Sequence, residues 1–202
     1  MAFTVFGSKP QNSIFLGTEP YALRNDCQCG QWKVGDDDFK GNQIQISIIK
    51  VSRYFGSLGK AKDKFWLQIW FVPAPDERKL PSNTVCVTYL KTRSISRFSQ
   101  KIIELMENGE PALGVFAGVF EKHSSELGTY YSVGWGWRER KSEEEFRQLD
   151  QIEAFLSGRP ALVDYVGARD MILLDGLSEG EIQLLIESGR SHRQETNLLA
   201  GS

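Results

Sequence analysis

Alternating hydrophobic and polar positions predict strands in the middle of the chain. Residues 43–55 alternate with period two, which places three isoleucines on one face of a long strand. The alternation slips between Ile48 and Ile49, and such a slip predicts a β-bulge that coils the strand. Aromatic and β-branched residues between turn signals predict two further strands, over residues 65–72 and 84–91.

Helical periodicity predicts two helices after these strands. Apolar residues recur at i, i+4, i+7 and i+8 from Phe98, and Ser94 or Ser96 is positioned to cap the start of that helix. The second helix covers residues 142–156, where a serine three residues before a glutamate forms a capping box. Gly158 ends it.

The order of the elements decides the predicted fold class. Between the two helices, residues 114–122 and 129–138 form a hairpin that is joined by a polar loop of residues 123–128. The order strand, strand, strand, helix, strand, strand, helix is that of the OB-fold, a five-stranded, partly open β-barrel. A generic α+β sheet has the same order and is the alternative. We therefore predict a mainly β, OB-fold-like barrel with a helix between strands 3 and 4.

Composition divides the chain into three parts. Residues 1–40 are rich in turn formers and read as an N-terminal arm. The barrel domain with its helices covers residues 41–157. Beyond it the periodicity weakens, so residues 158–202 are expected to form a partly flexible, partly helical C-terminal extension, with a short helix at 178–188.

The net charge of −2 conceals a segregated distribution. Residues 1–49 carry −1, residues 50–101 carry +8 and residues 102–202 carry −9. A basic middle creates a local positive field in a molecule that stays soluble. One interpretation is a surface for a polyanion, and the other is two halves of one folded domain that neutralise each other.

The second strand separates its side chains into two faces. Four apolar side chains share the predicted core face: Phe65, Leu67, Ile69 and Phe71. The opposite face presents Trp66 and Trp70, about 13 Å apart. Exposed indoles stack unpaired bases for about 1–3 kcal/mol each without selecting a sequence. The alternative is that both tryptophans pack beneath a helix or at a dimer interface.

Basic residues on the neighbouring elements complete a predicted nucleic-acid-binding surface. Arg93 and Arg97 are four residues apart and share one helix face, which either follows a phosphate backbone or is simply solvated. The predicted binding residues are Lys50, Arg53, Tyr54, Lys60, Lys62, Lys64, Trp66, Trp70, Arg93 and Arg97.

Other familiar sites lack the residues that their chemistry requires. Cys27 and Cys29 have no second Cys/His pair with which to hold zinc. Residues 36–38 are acidic but do not continue into a calcium loop, and residues 56–61 resemble a phosphate loop only in Gly-Lys. His123 lies near serines, yet none sits on a nucleophile elbow. We expect no metal, no cofactor and no enzymatic activity.

Two further features bear on location. No apolar run approaches the roughly 18 residues of a membrane span, and the N-terminus lacks a basic region followed by an apolar one. Three cysteines, an odd number, suit reduced thiols. We expect a cytoplasmic protein without a membrane partner.

The chain resembles the OB-fold single-stranded-DNA-binding proteins of phages and mobile elements. The resemblance rests on the order of elements, on the aromatic strand Lys-Phe-Trp-Leu-Gln-Ile-Trp-Phe at residues 64–71 and on the hairpin sequence at residues 128–137. The resemblance covers residues 40–157 and lies in architecture. It implies a protein that coats single-stranded DNA in replication or recombination, often as a dimer or larger assembly, with RNA as an alternative ligand. Many such proteins end in an acidic tail. This chain does not, and its acidic region 143–187 is available for a different role.

The same features fit a second function. In a protein-interaction or assembly module, the basic half of one subunit docks on the acidic half of another or of a partner. Exposed aromatic residues suit this function equally well. A homo-oligomer is expected under either function.

Overall fold

The structure is a computed structural model that describes residues 13–126, 128–158, 171–184 and 186–187. It is mainly β, and residues 179–184 and 186–187 are also helical. The elements in chain order are β1 (Tyr21–Ala22), β2 (Arg24–Asp26), β3 (Gln31–Val34), β4 (Asp38–Gly41), β5 (Gln43–Leu58), β6 (Ala61–Pro73), β7 (Cys86–Lys91), α1 (Arg93–Met106), β8 (Val115–Ser125), β9 (Gly128–Arg138), α2 (Glu143–Ser157) and β10 (Met171–Leu173).

The strands form two sheets. Seven belong to one sheet in the order β1-β7-β6-β5-β8-β9, with β10 also paired to β5, and β2-β3-β4 form a second sheet. Two strands pair with the same edge of the long strand β5. β8 pairs with its beginning, at residues 43–46, and β10 pairs with its end, at residues 54–56.

Within residues 43–157 the predicted order of strands and helices is confirmed, and so is the bulge. The β5–β6 register shifts between Ile48 and Lys50. The mainly β class is confirmed as well, but the described residues form open sheets and no closed barrel. β7 and β9 do not pair with each other: the second edge of β7 pairs with β1, and the Val133 amide of β9 donates to the Ser94 hydroxyl of α1 at 3.0 Å. The predicted serine cap is wrong, because the N-cap is Thr92 and Ser94 serves β9 instead.

Two hydrophobic cores lie on opposite faces of the large sheet. α1 covers the first face, where the ring of Phe98 packs against that of Trp135 at a centroid distance of 5.2 Å. α2 covers the second face, where Ile152 and Phe155 pack against β6 and β7. The α2 capping box is present as predicted, and Gly158 is the C-cap. In the described part of the chain, no helix has the length and apolar character to cross a membrane.

The arm interpretation does not fit residues 21–40. These residues form strands β1 to β4, and β1 extends the large sheet by pairing in parallel with β7. Trp32 on β3 is fully buried in the first core, and its indole N–H donates to the Gly118 carbonyl at 3.2 Å. A lone tryptophan in a turn-rich stretch therefore anchors the small sheet to the large one. Residues 1–12 lie outside the described residues.

The predicted loop of residues 123–128 is also largely wrong. β8 runs to Ser125 and β9 begins at Gly128, so the hairpin is longer than predicted. His123 is a strand residue opposite Tyr130. Polar side chains at an exposed hairpin end resemble a loop in sequence although their backbone continues the ladder.

Candidate nucleic-acid interface

The two tryptophans of β6 are buried, which corrects the prediction that they are exposed. Trp66 is 6% exposed and Trp70 is 1% exposed. Both indole N–H groups are satisfied internally, by the Gly56 carbonyl at 3.1 Å and by Gln68 Oε1 at 2.6 Å, respectively. In this conformation neither ring can stack a base.

Two separate covers cause this burial. Trp70 lies in the core beneath α2, as the helix alternative for the tryptophans requires. Trp66 and Tyr54 lie in a smaller cluster that Met171 of β10 closes, and Tyr54, which is 1% exposed, is likewise corrected from a surface residue to a buried one. The predicted core face holds for Leu67, which is buried with its α1-facing neighbours.

Phe65 departs from that face assignment. It was expected in the core, but its side chain is 48% exposed, because β6 extends beyond the core at its first residues. Its ring lies 5.2 Å from the ring of Phe55, measured between centroids. Phe65 is therefore an accessible aromatic side chain that alternation alone assigned to the interior.

The cover over Trp70 is held by a buried polar network. Arg140 donates to Ser47 Oγ at 2.9 Å and to the Glu145 carbonyl at 3.0 Å. Gln148 of α2 accepts from Ser47 Oγ at 2.9 Å and donates to the Pro73 carbonyl at 2.8 Å. These bonds fix the start of α2 to β5 and to the end of β6, because buried polar groups are costly to leave without partners.

An ion pair strengthens the same corner. Glu145 is buried and lies 2.6 Å from Arg138. This hydrogen bond, helped by bonds from the Lys141 and Ser142 amides, lowers the pKa of the Glu145 carboxyl to about 2. Burial lowers the pKa of the neighbouring Arg140 guanidinium. The network is structural, since its buried hydrogen bonds tie α2 to the sheet.

Five exposed cations surround the other end of β6. Lys91 is directly opposite Trp66 in the β6–β7 ladder, and Lys64 precedes Trp66 by two residues on the same face. The turn between β5 and β6 and the start of α1 add the others. We call this set the cationic rim, and its members are Lys60, Lys62, Lys64, Lys91 and Arg93.

The cationic rim has no acidic partner within the described residues. None of its side chains forms an ion pair there, and Arg93 donates instead to the neutral Tyr130 hydroxyl at 2.9 Å. Tyr130 is itself 37% exposed, and its ring lies 5.1 Å from that of His123. A positively charged surface with two accessible rings, Phe65 and Tyr130, therefore adjoins the buried Trp66.

Three of the predicted residues lie elsewhere or are neutralised. Lys50 pairs with Trp70 in the ladder and so belongs to the α2 end. Arg97 forms an ion pair with Glu121 at 3.0 Å. Arg53 is exposed on β5, but Asp175 lies 3.7 Å from its Nε. The structure thus brings together Lys60, Lys62, Lys64, Trp66, Tyr54 and Arg93, with Arg53 beside them.

Sequence reasoning missed Lys91 and Tyr130. Lys91 ends the third predicted strand two residues before Arg93, and that proximity was the available signal. Its place opposite Trp66 depends on strand register, which the sequence does not display. Tyr130 lies within the predicted strand of residues 129–138, but its contact with Arg93 depends on how α1 packs on β9, which the sequence does not display.

Groups associated with catalysis or metal binding are dispersed or buried. His123 Nε2 lies 2.7 Å from Ser132 Oγ, but Ser132 is only 1% exposed. Burial raises the pKa of the Cys27 thiol. In the part of the chain that the structure describes, no disulfide forms and no group of three or more His, Cys, Asp or Glu side chains is placed to hold a metal ion.

Comparison of the chain with protein-family models, with curated proteins and with solved structures finds no match.

Proposed function

We propose that the protein binds single-stranded nucleic acid with little sequence preference, through the cationic rim. The observation that carries this proposal is that five exposed cations without acidic partners among the described residues converge on the ends of β6 and β7 and the start of α1. Such a cluster releases condensed counterions from phosphates, which is the main source of sequence-independent affinity.

The accessible aromatic rings support a single-stranded ligand. Phe65 follows Lys64 directly, and Tyr130 is held by Arg93. Rings of this kind stack on unpaired bases but not on bases inside a duplex. We therefore expect single-stranded DNA to bind more tightly than duplex DNA, with single-stranded RNA as a second arm of the test.

The position of the rim agrees with an OB-like arrangement. The strand order β7-β6-β5-β8-β9, with α1 between β7 and β8 in the chain, follows the order of a five-stranded OB-fold that has not closed. In that fold the second and third strands and the loop between the first and second bind oligonucleotides. Those elements correspond to β6, β7 and the β5–β6 turn, and a role in replication or recombination is the function they suggest.

The proposal is tested by fluorescence anisotropy with labelled oligo-dT at 50 and 200 mM salt. The triple variant Lys60→Gln, Lys62→Gln, Lys64→Gln should bind about ten-fold more weakly, and its slope of log affinity against log salt should fall by about 2. The matched control replaces three exposed cations outside the rim, Arg78→Gln, Lys141→Gln and Arg147→Gln, and has the same net charge. Equal losses in both variants, or wild-type affinity that is indifferent to salt, would contradict the proposal.

An assembly module is the second candidate. The chain itself provides the observation that favours it, because a described acidic segment, residues 171–187, docks beside the basic β5–β6 pair. Sedimentation with and without oligo-dT separates the two functions. Self-association that depends on salt and is unaffected by the oligonucleotide would favour the module.

A further inference from the structure

Residues 171–187 form an acidic cover at the β5–β6 end of the sheet. They contain Asp175, Glu179, Glu181 and Glu187 and no lysine or arginine. We call residues 171–187 the acidic segment. It begins with β10, which pairs antiparallel with β5, and continues into helical residues 179–184 and 186–187.

The acidic segment contacts several residues that the sequence predicted, or the structure suggests, for nucleic-acid binding. Met171 packs with Tyr54 and Trp66. Leu174 and Ile186 pack with Phe55, the ring beside the exposed Phe65. Tyr54 and Phe55 are consecutive on β5 and point to opposite faces, so the segment covers Tyr54 and Trp66 on one face with Met171, and Phe55 on the other face with Leu174 and Ile186.

The segment also places a carboxylate on Arg53. Asp175 Oδ1 accepts a hydrogen bond from the Arg53 amide at 2.9 Å and lies 3.7 Å from the Arg53 guanidinium. The Leu174 amide donates to the Arg53 carbonyl at 2.8 Å. A carboxylate on a guanidinium, beside apolar groups on aromatic rings, resembles in its chemistry a phosphate and its neighbouring base.

The acidic segment is bound to the sheet more weakly than α2 is. β10 has three residues, and the ion pair that Asp175, two residues after β10, forms with Arg53 of β5 is partly exposed, a type that contributes little. Several other polar contacts of the segment are internal, including Ser178 with Glu181 and Gln183 with Glu187. A short edge strand with internally satisfied contacts can separate without disturbing the rest of the sheet.

We propose that Trp66 and Tyr54, which share one face of the sheet, form a base-stacking site for single-stranded nucleic acid, which the acidic segment occupies in cis and leaves when the ligand binds. The inference rests on the proposed function and deepens it. The ligand displaces β10 from the edge of β5, a base takes the place of Met171 on Tyr54 and Trp66, and a phosphate replaces Asp175 at Arg53. The apparent affinity is then lowered by the fraction of molecules whose site is covered.

The first test uses the wild-type chain. Hydrogen exchange of the Leu174 amide is followed with and without saturating oligo-dT. Displacement predicts faster exchange at Leu174 in the complex and quenching of Trp66 fluorescence, identified as the signal lost in Trp66→Phe. Leu174 protection that stays unchanged while oligo-dT binds would overturn the inference and leave the proposed function standing.

The second test changes the cover within the full chain. The variant Asp175→Asn, Glu179→Gln, Glu181→Gln, Glu187→Gln should bind oligo-dT about ten-fold more tightly, within the usual range of coupling between competing interactions. The matched control neutralises four exposed acids of α2, Glu143→Gln, Glu144→Gln, Asp150→Asn and Glu153→Gln, and has the same net charge. Equal gains in both variants would contradict the inference, whereas no binding by any variant would contradict the proposed function itself.

Discussion

Trp66 and Trp70 occupy the same face of one strand, four residues apart, and both are buried, yet their covers differ. Trp70 lies beneath a capped helix of 15 residues that buried hydrogen bonds tie to the sheet. Trp66 lies beneath a strand of three residues followed by an acidic stretch. The fraction of surface buried is similar at the two rings. Under the proposal above, the free energy needed to remove the cover is smaller at Trp66 than at Trp70, and that difference separates an occupied binding site from a core residue.

The largest effect should come from removing the two rings. Trp70→Ala should lower the free energy of unfolding by about 3–5 kcal/mol, because a fixed helix cannot fill the cavity. Trp66→Ala should cost less, about 2 kcal/mol, because the light cover can move toward the gap. Urea denaturation of both variants measures the difference, and equal losses would show that both covers are parts of one rigid core.

The next effect concerns the ion pair that anchors α2. The depressed pKa of Glu145, about 2 against an ordinary value of 4.5, means that ionised Glu145 stabilises the fold above about pH 4.5. That contribution, about 3 kcal/mol, is lost as the pH falls through about 2. The stability difference between wild type and Glu145→Gln should therefore shrink across this window.

Exposed Glu144 on the same helix turn provides the control for that measurement. Glu144→Gln should leave the free energy of unfolding nearly unchanged throughout the window, because surface charges without buried partners contribute little. A difference for Glu145→Gln that is independent of pH would contradict the role of its ionised carboxylate.

The smallest effect compares the caps of the two covers. Ser142→Ala removes the capping box of α2 and should cost about 1 kcal/mol of global stability. Ser178 makes the equivalent contacts with Glu181 in the acidic segment. Ser178→Ala should leave global unfolding unchanged and accelerate hydrogen exchange only within that segment. A global loss from Ser178→Ala would mean that both covers unfold together with the sheet.

The elements that local pattern specifies were predictable from the sequence. The packing of α2 over Trp70 and of the acidic segment over Trp66 was not. The period-two alternation of β5, its bulge at Ile48–Ile49 and the Ser142–Glu145 box all depend on residues close in sequence. Which face of β6 meets water depends on α2 and β10, far along the chain. One signal was available, because residues 65–72 contain a single polar residue, and strands that are apolar on both faces are usually covered on both.

The same limit explains the other corrections. No periodic pattern of apolar residues surrounds Trp32, so the sequence does not predict its burial. The position of Lys91 opposite Trp66 depends on the strand register, which only the folded sheet shows. The charge sums of the three regions do not show which cations are paired, because Arg97 meets Glu121 and Arg53 meets Asp175 across long sequence separations. Pairings of this kind decide which cations remain available to a ligand.

The late position of β10 in the chain has a consequence for biosynthesis. β5 and β6 leave the ribosome about 100 residues before Met171 does, at a typical pace of roughly 5–20 residues per second. For several seconds the nascent protein therefore presents Tyr54, Trp66 and the open end of β5 to whatever polymer is nearby. The finished molecule closes that opening with β10.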